Sequence, residues 1–297
     1  MVSLVMPVWK PDPSWFREAV RSALAEDDCE IELIVVDDGN PEPIADLLRD
    51  LEDPRLSVLR VPHAGVGAAR NAGIERARGE AIRFVDGDDV VERGSTAKLL
   101  DLSRGDGAIS YADTVVCDID LRPEKTVGST VQGEALAACL LGDFFVYITG
   151  MLFPRAVVDA VGQFDTSFEA NGDYDYILRA LEHAPVRGGG FVASKYRRHH
   201  ASITGRQLAE DVNSRRALDK LFQRRPELRQ SPLGRQALSH LHLGAATRMM
   251  RAGRFGVSAR HLGSAVRLSP RAAGGDALKI AAAFPRRAAR EVAARRR

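Results

Sequence analysis

The first 85 residues alternate between two hydrophobic periods. Val2–Val8 is a short, mostly apolar run, which predicts a strand buried on both faces. Asp12-Pro13 follows, a helix N-cap with proline at the first helical position. Trp15, Phe16, Ala19, Val20, Ala23 and Leu24 then share one helical face. Ile31–Val36, Leu56–Val61 and Ala81–Val85 predict three more strands, separated by a short helix over 44–51 and a small-residue helix over 65–78. Strand–helix alternation over about 110 residues predicts βαβ units and a mostly parallel sheet, an α/β fold.

The pattern then changes twice. Over 106–205 it is mixed: Ala108–Tyr111, Phe144–Phe153 and Phe191–Arg198 predict strands, and Asp173–Leu181 a helix. From about Thr204 onward it is helical. Helices are expected over 208–224, 232–251, 257–268 and 277–294, punctuated by Pro226, Pro232, Pro270 and Pro285. Leu243–Pro270 reads as one tetratricopeptide-like hairpin, too little for a solenoid. The expected organisation is an α/β domain over 1–205 and an α-helical C-terminal region over 206–297.

Charge sharpens that boundary. The net charge of +2 conceals −13 over residues 1–205 and +15 over 206–297, so the two regions suit different partners. The last stretch, 277–297, places Leu278, Ile280, Ala281, Phe284 and Val292 among six arginines. A basic amphipathic helix of that kind can lie peripherally on an anionic membrane; an acidic partner or a solvated helix fits the same residues. No nucleic-acid partner is expected, because the basic segment lacks interleaved aromatics and a binding motif.

Composition excludes some classes. With 45% hydrophobic and 28% charged residues the chain is neither disordered nor collagen-like. Cys29, Cys117 and Cys139 are odd in number and form no C-x-x-C, which argues against disulfide and zinc frameworks and fits a reducing compartment. No apolar run reaches the roughly 18 residues of a membrane span, and Val2–Val8 is short for a signal peptide. The expected location is cytoplasmic.

Two acidic clusters directly follow buried runs: Asp37-Asp38 after Leu33–Val36, and Asp86-Gly87-Asp88-Asp89 after Ile82–Val85. Ligands of open parallel sheets bind beyond such strand ends. Five carboxylates converging there would repel one another, and a hard divalent cation, Mg²⁺ or Mn²⁺, shared with substrate phosphates relieves that. Gly87 would let a phosphate approach the backbone closely. Each cluster taken singly also reads as a polar turn.

The ordered landmarks resemble family 2 glycosyltransferases. They are Val2–Trp9, Glu32–Gly39, Gly67–Ile74, Ala77–Glu80, Phe84–Asp89, Val161–Asp165, Gly172–Asp175 and Tyr196–Ser202, and they cover about 2–205. The resemblance implies a nucleotide-sugar-binding GT-A fold. It implies that Pro7 and Trp9 cradle the nucleobase, that Asp38 bonds the base or ribose, and that Arg70 lies at the diphosphate. Asp86-Gly87-Asp88 matches the Asp-x-Asp (DXD) motif. Asp86 and Gly87 would lie at the nucleotide sugar, Asp86 and Asp88 would hold the metal (manganese or magnesium), and Asp89 would orient its neighbours. His199, beside His200, matches a histidine near the metal in some members. Asp173 matches the general base of an inverting transfer from a UDP-sugar to a hydroxyl of a glycan, lipid-linked or small-molecule acceptor, as in polysaccharide biosynthesis. The chain departs from the family at Asn40, where serine is usual, and at Gly172, where glutamate is usual. Asp175 and Glu169 are rival bases, and an N-terminal helix carboxylate or cap accounts for Asp173 and Asp38 without catalysis. Two other functions compete with this reading. A nucleotidyltransferase making nucleotide sugars would need a glycine-rich N-terminal signature, absent from 6–20. A catalytically inactive nucleotide-sugar-binding partner protein would have lost the aspartates, which are present.

Overall fold

The computed structural model describes residues 1–168, 172–199, 207–271 and 273, with 207–211 by backbone alone. It falls into two compact units, Met1–Leu136 with Asp143–Gly205, and Ala137–Gly142 with Arg206–Arg297.

The first unit is built on β1 (Val2–Val8), β2 (Ile31–Asp38), β3 (Leu56–Val61) and β4 (Ala81–Phe84). They lie in the order β3-β2-β1-β4, all parallel. Every residue of β1, β2 and β4 is buried, which is why those runs do not alternate in polarity. The crossovers are α1 (Pro13–Leu24), a 3₁₀ turn at Ile44–Leu48 and α2 (Val66–Arg76). The Asp12 carboxylate caps α1 by accepting from the Ser14 and Trp15 N–H groups, and Phe16, Ala19, Val20 and Ala23 are buried as their spacing predicts. In α2 the helix comes close to the sheet. A Cβ at Gly73 would sit 2.3 Å from Val5 Cγ1, so only glycine allows that approach.

Beyond β4 the parallel order ends and the sheet becomes mixed. After β5 (Val90–Val91), β6 (Ile109–Cys117) and β7 (Pro123–Val127), the strand β8 (Met151–Pro154) runs antiparallel to β4 and β6. The last strand, β9 (Val186–Arg197), is parallel to β6 and antiparallel to β5. The strand expected over 144–153 survives only in its last residues, because Ile148–Gly150 is a 3₁₀ turn. The Thr149 carbonyl there accepts from Arg83, whose guanidinium also donates to Ser95, Thr96 and the Ala193 carbonyl. Arg83 is fully buried and lies 3.8 Å from the equally buried Glu26. That pair joins β4 to α3 (Ser95–Ser103), whose first N–H groups bond the Glu26 carboxylate.

The short helices α4 (Leu136–Leu141) and α5 (Arg155–Val161) had no strong period in the sequence. α6 (Gly172–Ala180) carries Tyr176, which stacks on Phe164 at 3.9 Å and meets Phe84 and Phe153 edge-on.

The second unit contains α7 (Gln207–Arg224), α8 (Pro226–Gln230), α9 (Pro232–Arg251) and α10 (Phe255–Leu268). α9 and α10 form the expected hairpin. Ser239 donates to the Ala265 carbonyl at 2.9 Å and Ser258 to the Ala246 carbonyl at 2.7 Å. The helix expected over 277–294 lies outside the described residues. Among the described residues no helix is long and apolar enough to cross a membrane.

Candidate active site

The chain leaves β1 for β2 on one side and returns to β4 on the other, so the carboxyl ends of β2, β1 and β4 are adjacent. In open α/β sheets ligands bind beyond the strands at such a switch of direction. Pro7 and Trp9, Asp37-Asp38, and Asp86 to Asp89 are the residues delivered to it.

The two acidic clusters are used differently, and the five carboxylates do not converge as one group. Asp37 turns inward, accepting from the Asn40 N–H at 2.8 Å, the Asn40 side-chain amide at 2.8 Å and the Ile44 N–H at 3.2 Å. It is therefore Asp37, rather than Asp38, that caps the following turn. Asn40 in turn donates to the Val8 carbonyl and accepts from the Lys10 N–H, where the backbone has φ +47°. The departure from serine thus serves a purpose, since its amide latches the end of β1 to that of β2.

Asp38 is buried and its carboxylate accepts from the Ala64 N–H at 2.9 Å, the Gly65 N–H at 3.1 Å and His63 Nδ1 at 2.8 Å. It holds the loop that leads into α2. His63 also stacks on Trp9, ring centroids 3.7 Å apart, while Trp9 stays 40% exposed. Trp9 is therefore a surface ring at the strand end, not core. His63 carried no signal in the sequence, because neither neighbour in the chain marks it.

Arg70 projects from α2 to Asp86, Nη2 to Oδ1 2.9 Å, and its guanidinium lies 5.4 Å from the Phe164 ring. Arg70 is buried and its Nε has no hydrogen-bond partner. The next residue, Asn71, clamps Phe164 through both its amide atoms, accepting from the Phe164 N–H at 2.7 Å and donating to its carbonyl at 3.0 Å. That clamp fastens the Ala-Arg-Asn stretch to the Gly-Gln-Phe-Asp stretch, two landmarks 93 residues apart.

Asp88 and His199 are paired, Oδ2 to Nε2 2.9 Å, with the imidazole against Trp15 at 5.0 Å. Burial and the neighbouring Asp86 push the Asp88 carboxyl up, against His199. Asp89 is buried and accepts from the Arg197 N–H at 2.9 Å; burial, then Asp88 and Asp86, push it well above the usual carboxylate range. Arg197 staples the turn further, donating to the Asp88 carbonyl, the Ile119 carbonyl and Glu18. In the sequence Arg197 falls within the Tyr196–Ser202 landmark, with nothing that marks these contacts. A Cβ at Gly87 would meet Val8 Cγ2 at 3.1 Å, so glycine there lets the acidic turn seat on the end of β1.

Asp173 opens α6, half-buried, and accepts from the Tyr174 N–H at 2.9 Å. Burial pushes its carboxyl up; Arg70 pulls it down and Asp86 pushes it up, so the three share one electrostatic environment. The rival Asp175 is buried and paired with Arg179 at 2.9 Å, which makes it a helix-internal ion pair. The rival Glu169 and His200 lie outside the described residues.

No group of three or more His, Cys, Asp and Glu set around a metal ion occurs among the described residues. Asp88 and His199 supply two adjoining donors, and Asp86 is a third nearby, held by Arg70. Mg²⁺ and Mn²⁺ commonly take one or two protein ligands and complete their shell with substrate phosphates and water, so this donor set fits such an ion.

Comparison with known proteins bears on the family and the fold. Over 239 residues the chain is 27% identical to the uncharacterized protein y4gI of Sinorhizobium fredii, an alignment covering 71% of this chain and 25% of that protein. It is 36% identical over 101 residues to the uncharacterized glycosyltransferase EpsJ of Bacillus subtilis, covering 33% of this chain and 29% of the relative. The succinoglycan biosynthesis protein ExoO of Rhizobium meliloti is 27% identical over 226 residues, covering 70% and 64%. The chain thus spans only about a quarter of y4gI and less than a third of EpsJ. Among solved structures, S. aureus TarS 1–349 in complex with UDP superposes with a TM-score of 0.59 at 15% identity, covering 96% of this chain and 88% of that one. The same protein with UDP-GlcNAc gives 0.57 at 13% identity, covering 90% and 91%. Those likenesses show a shared GT-A fold. The sequence profile described as Glycosyl transferase family 2 matches residues 3–162, and the chain belongs to that family.

Proposed function

We propose that this protein moves a sugar, with inversion, from a nucleoside diphosphate sugar to an acceptor hydroxyl. UDP is the proposed nucleotide, since TarS, which shares the fold, was crystallised with UDP and with UDP-GlcNAc. The observation that carries the reading is the joining of Arg70, Asp86 and Asp173 in one electrostatic environment beside the Asp88–His199 pair.

In this reading the exposed face of Trp9 stacks on the base, and Asp38 sets the 63–65 loop that backs it. Arg70, anchored on Asp86, has a buried Nε left over to donate to a diphosphate oxygen. Asp86, Asp88 and His199 would hold Mg²⁺ or Mn²⁺, which when bound supplies Lewis-acid neutralisation of the leaving diphosphate. Asp173 accepts the proton from the acceptor hydroxyl as that oxygen attacks the anomeric carbon. Its raised pKa makes the carboxylate a stronger base than an exposed aspartate. A single displacement inverts the anomeric centre, with a sugar hydroxyl where an inverting glycosidase uses water. The acceptor class proposed is a glycan or lipid-linked sugar, as the succinoglycan relative suggests. The reaction would take place in the cytoplasm, where nucleotide sugars are made.

Calorimetric titration of UDP with and without Mn²⁺ tests the reading. The expected result is tighter binding with the ion in the wild type and no ion dependence in Asp88→Ala. An ion effect that survives in Asp88→Ala would remove that residue from the metal site.

A further inference from the structure

We infer that the second unit carries a phosphate-binding cleft of its own. A cleft of about 780 Å³ opens among α7, α8, α9 and α10, lined by Arg215, Arg229, Arg235, Arg267, His242 and Ser264. Each helix contributes one arginine, so the cluster is a product of the fold and not of a local charge run. Among the described residues no carboxylate lines the cleft.

The charge there is largely uncompensated. Arg215 is paired with Asp219 at 3.0 Å. Arg229, Arg235 and Arg267 have no ion pair among the described residues: Arg235 donates to the Gln230 carbonyl, and Arg267 to Ser264 at 3.4 Å. Arg229, Arg235 and Arg267 are exposed at the rim of one cleft, where their like charges favour an anion entering it. His242 is half-buried and bonded Nδ1 to Nδ1 with His261 at 2.9 Å, so one ring of the pair donates and the other accepts. With Ser264 it adds neutral hydrogen-bonding edges to the arginine forks.

The chemistry selects the ligand. Planar guanidinium forks match phosphate oxygens bidentately, and a cleft within the usual range for small-molecule sites has room for more than one phosphate group. The ligand class is therefore a phosphate ester or anhydride, carried either on a soluble molecule or on a lipid headgroup. The cleft lies within the second unit and shares no residue with the candidate donor site, so the inference does not rest on that site's assignment.

Inorganic pyrophosphate titrated into the full chain in metal-free buffer tests the cleft. The variants are R229Q/R235Q/R267Q and, for the donor site, R70Q. Saturable binding is expected in the wild type and in R70Q alike, weakened about tenfold or more in the triple variant. Absence of saturable wild-type binding, unchanged affinity in the triple variant, or loss confined to R70Q would each overturn the inference. If the triple variant lacks the wild-type circular dichroism, R229Q and R267Q singly carry the same comparison, each about threefold weaker. Pelleting with phosphatidylcholine vesicles containing phosphatidylglycerol, compared with pure phosphatidylcholine, separates the two sources. Loss of pelleting in the triple variant identifies a headgroup, and retained pelleting with lost pyrophosphate binding identifies a soluble phosphate.

Discussion

Asp173 has opposing demands from its surroundings. Burial and Asp86 favour its neutral form, while Arg70 and the Tyr174 N–H favour its charged form, and the first pair prevails. A base must be ionised, so activity should fall as pH drops through a pKa above the ordinary aspartate value. The acid limb of the kcat/KM profile measures it, and a limb at the ordinary value would place the base elsewhere. Asp173→Asn should keep UDP affinity and lose transfer by about 10²–10⁴-fold. The linkage has a definite sign. A carboxyl whose pKa is raised on folding favours the fold at pH below that pKa, and the benefit is lost as pH rises through it. At neutral pH Asp173→Asn should therefore melt no lower than the wild type, whereas Asp175→Asn, which breaks the buried pair with Arg179, should melt lower with the chemistry less affected. Thermal melting of the two variants side by side tests that contrast.

The elements of the parallel half were legible because strand ends, caps and helix faces are local. Val2–Val8 and Leu56–Val61 need only their own hydrophobic period, and Asp12-Pro13 announces its helix. The mixed half was less legible because its partners are distant in the chain. β5 is two residues long and exists by pairing with β9, and Arg83 interrupts an apolar run only to meet Glu26 and Thr149. The same limit held at the site. Motifs singled out Arg70, Asp86, Asp88, Asp173 and His199 as candidates, but His63, Asn71 and Arg197 act through contacts that no spacing encodes. Packing of this kind reverses ordinary rules. Gly→Ala inside a helix normally stabilises by about 0.8–1 kcal/mol. At Gly73 the new methyl would meet Val5 in the buried β1, so Gly73→Ala should instead destabilise by about 1–3 kcal/mol. Glu26→Ala should cost about 3–5 kcal/mol, because it leaves Arg83 buried without its counter-charge. Burial already pulls the Arg83 guanidinium down to about 10 despite Glu26. Urea midpoints of the full chain measure both.

At the scale of the whole molecule the distribution of charge matters more than its sum. The acidic 1–205 region is repelled by an anionic surface, and the basic 206–297 region is drawn to it. Residues 277–297 carry six arginines and Lys279 against Glu291. Each basic residue near such a surface contributes about 1 kcal/mol at most, and salt screens the attraction over about 10 Å at 0.1 M. Deleting 277–297 should therefore weaken pelleting with phosphatidylglycerol vesicles strongly at low salt and little at high salt. UDP binding should be unchanged, because every residue of the candidate donor site lies before residue 200. Equal pelleting of both proteins at low salt would dismiss the tail as an anchor. The deletion also separates the tail from the cleft. All nine lining residues precede it, so pyrophosphate affinity should survive when vesicle binding does not.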